Sequence, residues 1–355
     1  MIRVKENMGH SAKILADSMS PDGIRLTTLE ITFPRIILAE VNTHRVFSRN
    51  SASSRAIPVE KMLKMAQENP YIPTHWGKNQ KGMQAEEELP ANSQAWAEAE
   101  WLEARNDAVA RAKQILAIGV HKQITNRLLE PFLWHTVVVT STEWDNWAHL
   151  RDNEMAHPEI QKIAHLMLEE MARSTPMLLK PTQWHLPLIH EGDYYDVTLK
   201  VGNSGGAAED VDDLLKKVSV GRCARVSYLT HDGKRDINAD IQLAERLLEA
   251  GHMSPFEHVA RPMSELEREC YRRDRVFLKS GKVHNGLRLP SQEFCEMKAG
   301  VSPVGYLVAP RSWNDLMVED PVDRVEHTYF CGNFNGWIQH RAEIPYEWVL
   351  MGAKK

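Results

Sequence analysis

Residues 42–56, NTHRVFSRNSASSRA, gather Arg45, Arg49 and Arg55 with Ser48, Ser51, Ser53 and Ser54, and add His44 and Asn50. Arginine offers a planar fork of N–H donors that matches phosphate, and serine adds short hydroxyl donors. Three guanidinium groups crowded together repel unless water or an anion lies among them. The composition therefore fits a solvated surface loop or a phosphate cradle, and it names no ligand.

The surrounding elements must hold this loop. Residues 24–33, IRLTTLEITF, are rich in β-branched types and bounded by SPDG and Pro34, which predicts a strand. Pro34 suits the first turn of a helix over PRIILAEVNTHR. AIPVEKMLKMAQ reads as a short helix and NPYIPTHWGKNQKGMQ as a loop. Residues 93–118 read as a long helix capped by Ser93 and stopped by Gly119, with Trp96 and Trp101 expected in the core. TVVVTST (136–142) is a second strand. Helices follow over 143–152 and 158–174, the latter with Ile160, Ile163, Ala164, Met167 and Met171 on one face. Leu186–Ala208, with EGDYYD and GNSGG, reads as a linker. DVDDLLKKVSVGRCARVSYLT reads as a helix and then a strand, and DINADIQLAERLLEAGH as an amphipathic helix.

Composition limits the function classes. The 355-residue chain is 43% hydrophobic and 26% charged, with a formal net charge of −5. That is ordinary for a globular protein, and any anion site must be local rather than a basic surface for nucleic acid. The cysteines Cys223, Cys270, Cys295 and Cys331 form no CxxC pair, which argues against a zinc ribbon or redox dithiol and points to a reducing compartment. His185 and His190 lack ligand spacing, so no metal is expected. The N-terminal MIRVKENMGHSAKILADS has no apolar signal core, and no run approaches the roughly 18 apolar residues of a membrane helix. A cytosolic protein is expected.

The spacing within the loop adds a resemblance. His44-Arg45, seven intervening residues and Ser53 resemble the RHR-x7-S motif of the flavin-dependent thymidylate synthases (ThyX). The preceding LEITFPRIILAEVNTHR also looks like that family. So does TSTEWDNWAHLRDNEMAHPEIQKIA (140–164), with its LR helix, and so does CARVSYLTHDG…RLLEAGHMSPFEHV (223–259). The order differs from the family's: SPFEH here follows the HR motif. The tail GNFNGWIQHR resembles a second, degenerate copy of the helix ending in RHR. A permuted chain and a duplicated one both fit, and duplication is the favoured reading. It gives a first half at 1–185, a linker at 186–210 and a second half at 211–355.

The resemblance implies an α/β fold, a twisted sheet flanked by long helices, with active sites where subunits meet. It implies a homotetramer, or a dimer if the chain is duplicated. Residue by residue, it assigns flavin contacts to Thr43, His44, Arg45, Asn50, Asn146, Ser227, His252, Ser254 and Glu257. It assigns nucleotide contacts to Ser51, Ser53, Ser54, Arg55, Lys122 and Arg127, and places Arg151 against the pyrimidine as the catalytic cation. Thr43, Ser51, Ala56 and Lys122 depart from the family pattern. The implied activity is reductive methylation of dUMP with FAD, methylenetetrahydrofolate and NADPH. Those departures leave open a hydroxymethylase or a dCMP-type methylase, and an inactive relative binding nucleotides or single-stranded nucleic acid. A membrane partner is not expected, and neither is nucleic acid.

Overall fold

The computed structural model describes residues 9–82, 84, 85, 87–226, 235–265, 267, 268 and 333–344. Its centre is a five-stranded sheet in the order β3-β4-β2-β1-β5. The strands are β1 (Ser11–Met19), β2 (Arg25–Pro34), β3 (Ser48–Ser51), β4 (Trp134–Ser141) and β5 (Met177–Leu178). β2 pairs antiparallel with β1 and β4, β3 pairs antiparallel with β4, and β5 runs parallel to β1. The class is α/β, as expected.

One face of the sheet is apolar. Leu29, Ile31 and Phe33 of β2 and Val137 and Val139 of β4 bury against α6 (Pro158–Arg173). The five residues foreseen on that helix face are all buried. Trp144, Trp147 and Phe47 extend this core to α5 (Asp145–Arg151). The chain between β2 and β3 turns through a 3-10 segment (Arg35–Ile37) and α1 (Leu38–Asn42). Beyond β3, α2 (Val59–Glu68), α3 (Ala91–Ala117), α4 (Lys122–Thr125) and a 3-10 segment (Asn126–Phe132) follow. Buried residues of α2, α3 and that last 3-10 segment form a second apolar cluster.

The opposite face is covered by the chain beyond β5. It supplies α7 (Glu191–Ser204), α8 (Ala208–Val226) and α9 (Ile237–Glu249), then a 3-10 turn (Ser254–Glu257). A two-stranded sheet of β6 (Ala260–Pro262) and β7 (Trp337–Gln339), followed by α10 (His340–Glu343), completes it. This face carries a buried polar row. Ser18 Oγ meets His185 Nδ1 at 2.8 Å, and His185 Nε2 meets Thr28 Oγ1 at 2.8 Å. Thr28 Oγ1 meets Thr140 Oγ1 at 2.7 Å, and Thr140 Oγ1 meets His258 Nδ1 at 2.8 Å. Burial pulls both imidazoles down to about 3, so both are neutral near pH 7.

The three helices are locked by ions. The Arg222 guanidinium bonds both oxygens of Asp193 at 2.7 and 2.9 Å, Asp240 at 3.0 Å and the Leu188 carbonyl at 2.7 Å. Gly221 lets α8 approach α9, since a Cβ there would sit 2.3 Å from the Asp240 carbonyl oxygen.

Several expectations are corrected. Leu186–Ala208 is not a bare linker, because Glu191–Ser204 is helical, closed by a capping box at His190 and Asp193 and by Gly205 at φ 71°. α8 continues to Val226 where a strand was expected to begin, its Arg222 turn held by the two buried aspartates. The rest of that expected strand, residues 227–230, lies outside the described residues. α3 starts at Ala91 behind Pro90, with no side-chain cap, so Ser93 falls inside the first turn. Trp96 is 68% exposed, since α3 buries only a narrow strip at Val109 and Ala112. β1 had no counterpart in the sequence reading.

Candidate functional site

The loop after α1 is pinned from within. Arg49 turns back so that its Nη1 donates to the carbonyls of Asn42 and His44 at 3.2 Å each and of Val41 at 3.4 Å. A cation at the end of α1 meets carbonyls that have no partner in the helix. Alternation along β3 then sends Ser48 and Asn50 to the face covered by the second half. Asn50 Nδ2 donates to the Cys223 carbonyl at 2.6 Å, and its Oδ1 accepts from Ser254 Oγ at 3.3 Å. Ser48 Oγ accepts from Asn333 and Gln339 side chains at 2.9 Å each. Glu257 is ion-paired with Arg341.

On the other side of the loop, Arg151 at the end of α5 reaches His44. Arg151 Nε donates to His44 Nε2 at 2.8 Å, and its Nη2 donates to Thr43 Oγ1 at 3.2 Å. His44 is 7% exposed. Its ring lies edge-on to Trp147 at 4.7 Å and stacks on Phe47 at 6.0 Å. Burial first, then the charges of Arg151 and Arg49, lower its pKa from the ordinary value. The imidazole is neutral, with its proton on Nδ1, because Nε2 accepts.

A second group lies past the end of β3. Lys122 Nζ donates to the Ala56 carbonyl at 2.9 Å. Asn126 Nδ2 donates to the carbonyls of Ser54 and Ile57 at 2.7 and 3.0 Å. These contacts fix the backbone around Ser53 and Arg55 and leave Arg55 exposed. Arg127 pairs with Glu130 at 2.8 Å.

The structure thus joins Thr43 and His44 to Arg151, Asn50 to Ser254, and Lys122 to Ala56 beside Arg55. Arg45, Asn146 and His252 are exposed, their side chains without a hydrogen-bond or ion-pair partner among the described residues. Ser51 and Ser53 are half-buried, and Ser54 is buried. Ser227 lies outside the described residues. Sequence reasoning missed the inward role of Arg49 and the reach of Asn333, Gln339 and Arg341 into this region. The degenerate QHR tail was the signal for the last of these. Among the described residues no cluster could hold a metal ion, and no helix is long and apolar enough to cross a membrane.

Residues 21–177 match the family model described as thymidylate synthase complementing protein. That segment is similar to this family. It contains the HR-x7-S loop, the LR helix and the Lys122 and Asn126 contacts, whereas SPFEH and the partners of Ser48 and Asn50 lie beyond it. Two solved structures of the UMP/dUMP methylase PolB from Streptomyces cacaoi are similar at a TM-score of 0.38. One was bound with 5-Br UMP (13% identity, covering 48% of this chain and 90% of that one). The other was bound with 5-Br dUMP (14% identity, covering 48% and 91%). No curated protein matches.

Proposed function

We propose that this protein is a flavin-dependent pyrimidine-nucleotide C5 methylase, in its simplest form a thymidylate synthase acting on dUMP. The observation that carries the reading is the Arg151 guanidinium, held by His44 and Thr43 at the foot of an arginine- and serine-rich loop in the family-matched segment. A fixed cation beside the pyrimidine N3 and O4 favours the ionised, electron-rich base, which is the form that reacts at C5. Ser53, Ser54, Arg55 and Lys122, with Ser51 and Arg127 at the edge, would hold the nucleotide phosphate.

The donor set fits FAD. Arg45, Asn146 and His252 present polar groups at the surface without a partner among the described residues, and Ser254 bonds Asn50 in the contact already described. Those residues, with Glu257 and Ser227, are the ones that would hold the dinucleotide. When bound, FAD supplies the redox chemistry between NADPH and the one-carbon unit of methylenetetrahydrofolate. The chain's own residues bind the nucleotide, orient the base and hold its negative charge.

The two halves, 1–185 and 211–355, are read as duplicated ThyX-like units that share one site. In support, the tail's Asn333 and Gln339 reach Ser48, and Ser254 reaches Asn50. The working assembly is read as a homo-oligomer, a dimer if one chain supplies both units.

The test uses the purified full chain. Flavin absorbance, release of tritium from C5-labelled dUMP and the product mass of a methylated nucleotide are expected in the presence of methylenetetrahydrofolate and NADPH. Colourless protein that binds no added FAD and leaves dUMP unchanged would refute the reading. Turnover of dCMP, or a hydroxymethyl mass, would replace the substrate or product.

A further inference from the structure

We infer that Thr43 and His44 are positioning residues for Arg151, clamping two of its donors so that the remaining Nη donors are presented to a pyrimidine nucleotide. The kinetic part of this inference rests on the proposed function; the geometric part does not.

An arginine at the end of a helix samples many rotamers, and ordering it costs entropy. Here α5 solves the problem with two of its own residues. Trp147, one turn before Arg151, packs edge-on against the His44 ring at 4.7 Å and an interplanar angle of 85°. Arg151 then meets the same ring through Nε, 2.8 Å from His44 Nε2. Helix and imidazole are therefore fixed to each other at two points. The His44 backbone is fixed in turn, because its carbonyl accepts from Arg49 at 3.2 Å.

Thr43 completes the clamp. Its hydroxyl proton is spent on the Glu40 carbonyl at 2.6 Å, which leaves the oxygen to accept from Arg151 Nη2 at 3.2 Å. Serine could make the same bonds; valine could make neither. The resemblance expects an arginine at this position, and Arg151 would then face a like charge. The threonine departure thus suits a chain that uses residue 43 to hold the catalytic cation rather than to contact a cofactor.

Arginine carries five N–H donors in a rigid fork. Nε and one Nη2 hydrogen are taken by protein, so both Nη1 hydrogens and the second Nη2 hydrogen remain to meet the carbonyl and ionised imide edge of the base. His44 keeps Nδ1–H for a second contact.

The experiment uses the full chain labelled with 15N-arginine. The Arg151 Nε–H signal, assigned by its loss in Arg151→Lys, is expected to exchange more slowly with solvent than those of Arg45 and Arg55. His44→Ala and Thr43→Val should speed that exchange, and His44→Gln, whose amide oxygen sits near the Nε2 position, and Thr43→Ser should restore it. In turnover with dUMP, His44→Ala should lower kcat on the order of 100-fold, the scale of a misplaced catalytic group. KM should change little, and His44→Gln should recover most of the loss. An Arg151 Nε–H that exchanges as fast as the exposed arginines in the wild type overturns the inference. So does equal behaviour of His44→Ala and His44→Gln. A wild type without methylase activity refutes the proposed function, while the exchange measurement still decides the clamp.

Discussion

Replacing Arg222 by methionine tests the lock that holds α8 under the sheet. Arg222 and its two carboxylate partners are buried, with Asp193 and Asp240 at 0% and 1% exposure. Removing one member of a buried ion pair costs about 3–5 kcal/mol, because the remaining charge is stranded. Asp193 keeps Arg235 at 2.9 Å and Asp240 keeps Arg225 at 2.6 Å, so the lower end, about 3 kcal/mol, applies. With an unfolding entropy of about 2.1 cal/mol/K per residue, a chain of this length should lose about 4 °C of Tm. The pH dependence gives a second, independent sign. Burial alone would raise Asp193, but hydrogen bonds from Arg222, the His190 N–H and Arg235, with the Arg222 charge, outweigh it and hold the carboxyl well below the usual range. A carboxylate depressed in the folded state stabilises above its unfolded pKa, and that contribution fades as pH falls through the folded value. The Tm difference between wild type and Arg222→Met should therefore be full at pH 7 and shrink in acid. Adding Asp193→Asn and Asp240→Asn to the variant should recover part of the loss. A difference below about 1 kcal/mol at pH 7, or one that does not shrink in acid, refutes the reasoning.

Three further outcomes can be checked. The His44 ring, followed by NMR, should titrate below its ordinary pKa, and the clamp on Arg151 should be present above that midpoint and lost below it, since a protonated Nε2 no longer accepts. Thr28→Val should cost about 1–3 kcal/mol in thermal unfolding by leaving a buried polar partner unmade, because Thr28 Oγ1 joins His185 to Thr140; no change in Tm would contradict that. Arg55→Ala, in calorimetry with dUMP, should weaken binding by about 1 kcal/mol or more while the fold stays intact, because this exposed side chain has no protein partner among the described residues to lose. Unchanged affinity would remove Arg55 from the phosphate site.

The apolar periodicities were legible. Ile160, Ile163, Ala164, Met167 and Met171 all bury against the sheet, because a period near 3.6 is a local property of the chain. The anion-binding character of the loop was legible too, but its division of labour was not. Arg49 looked like Arg45 and Arg55 in composition, yet it turns inward to carbonyls that exist only once α1 has ended. α7 was hidden behind glycines and tyrosines that read as a linker; its capping box and the Arg222 fork come from residues that meet only in the fold. The pairing of Arg151 with His44 spans 107 positions, and no window of sequence contains both.

The row from Ser18 to His258 has a consequence for its own protons. Each threonine hydroxyl carries one hydrogen and touches two partners, and each neutral imidazole carries one. Donation must then run in a single sense from end to end, or some member is left facing another donor. If Thr140 gives its hydrogen to Thr28, His258 holds its proton at Nδ1 and so does His185. If the sense reverses, both protons stand at Nε2. Two rings brought together from positions 185 and 258 thus share one binary choice of tautomer. His258 Nε2 is buried without a partner among the described residues, and its character as donor or acceptor is written at the far end, by a serine on β1.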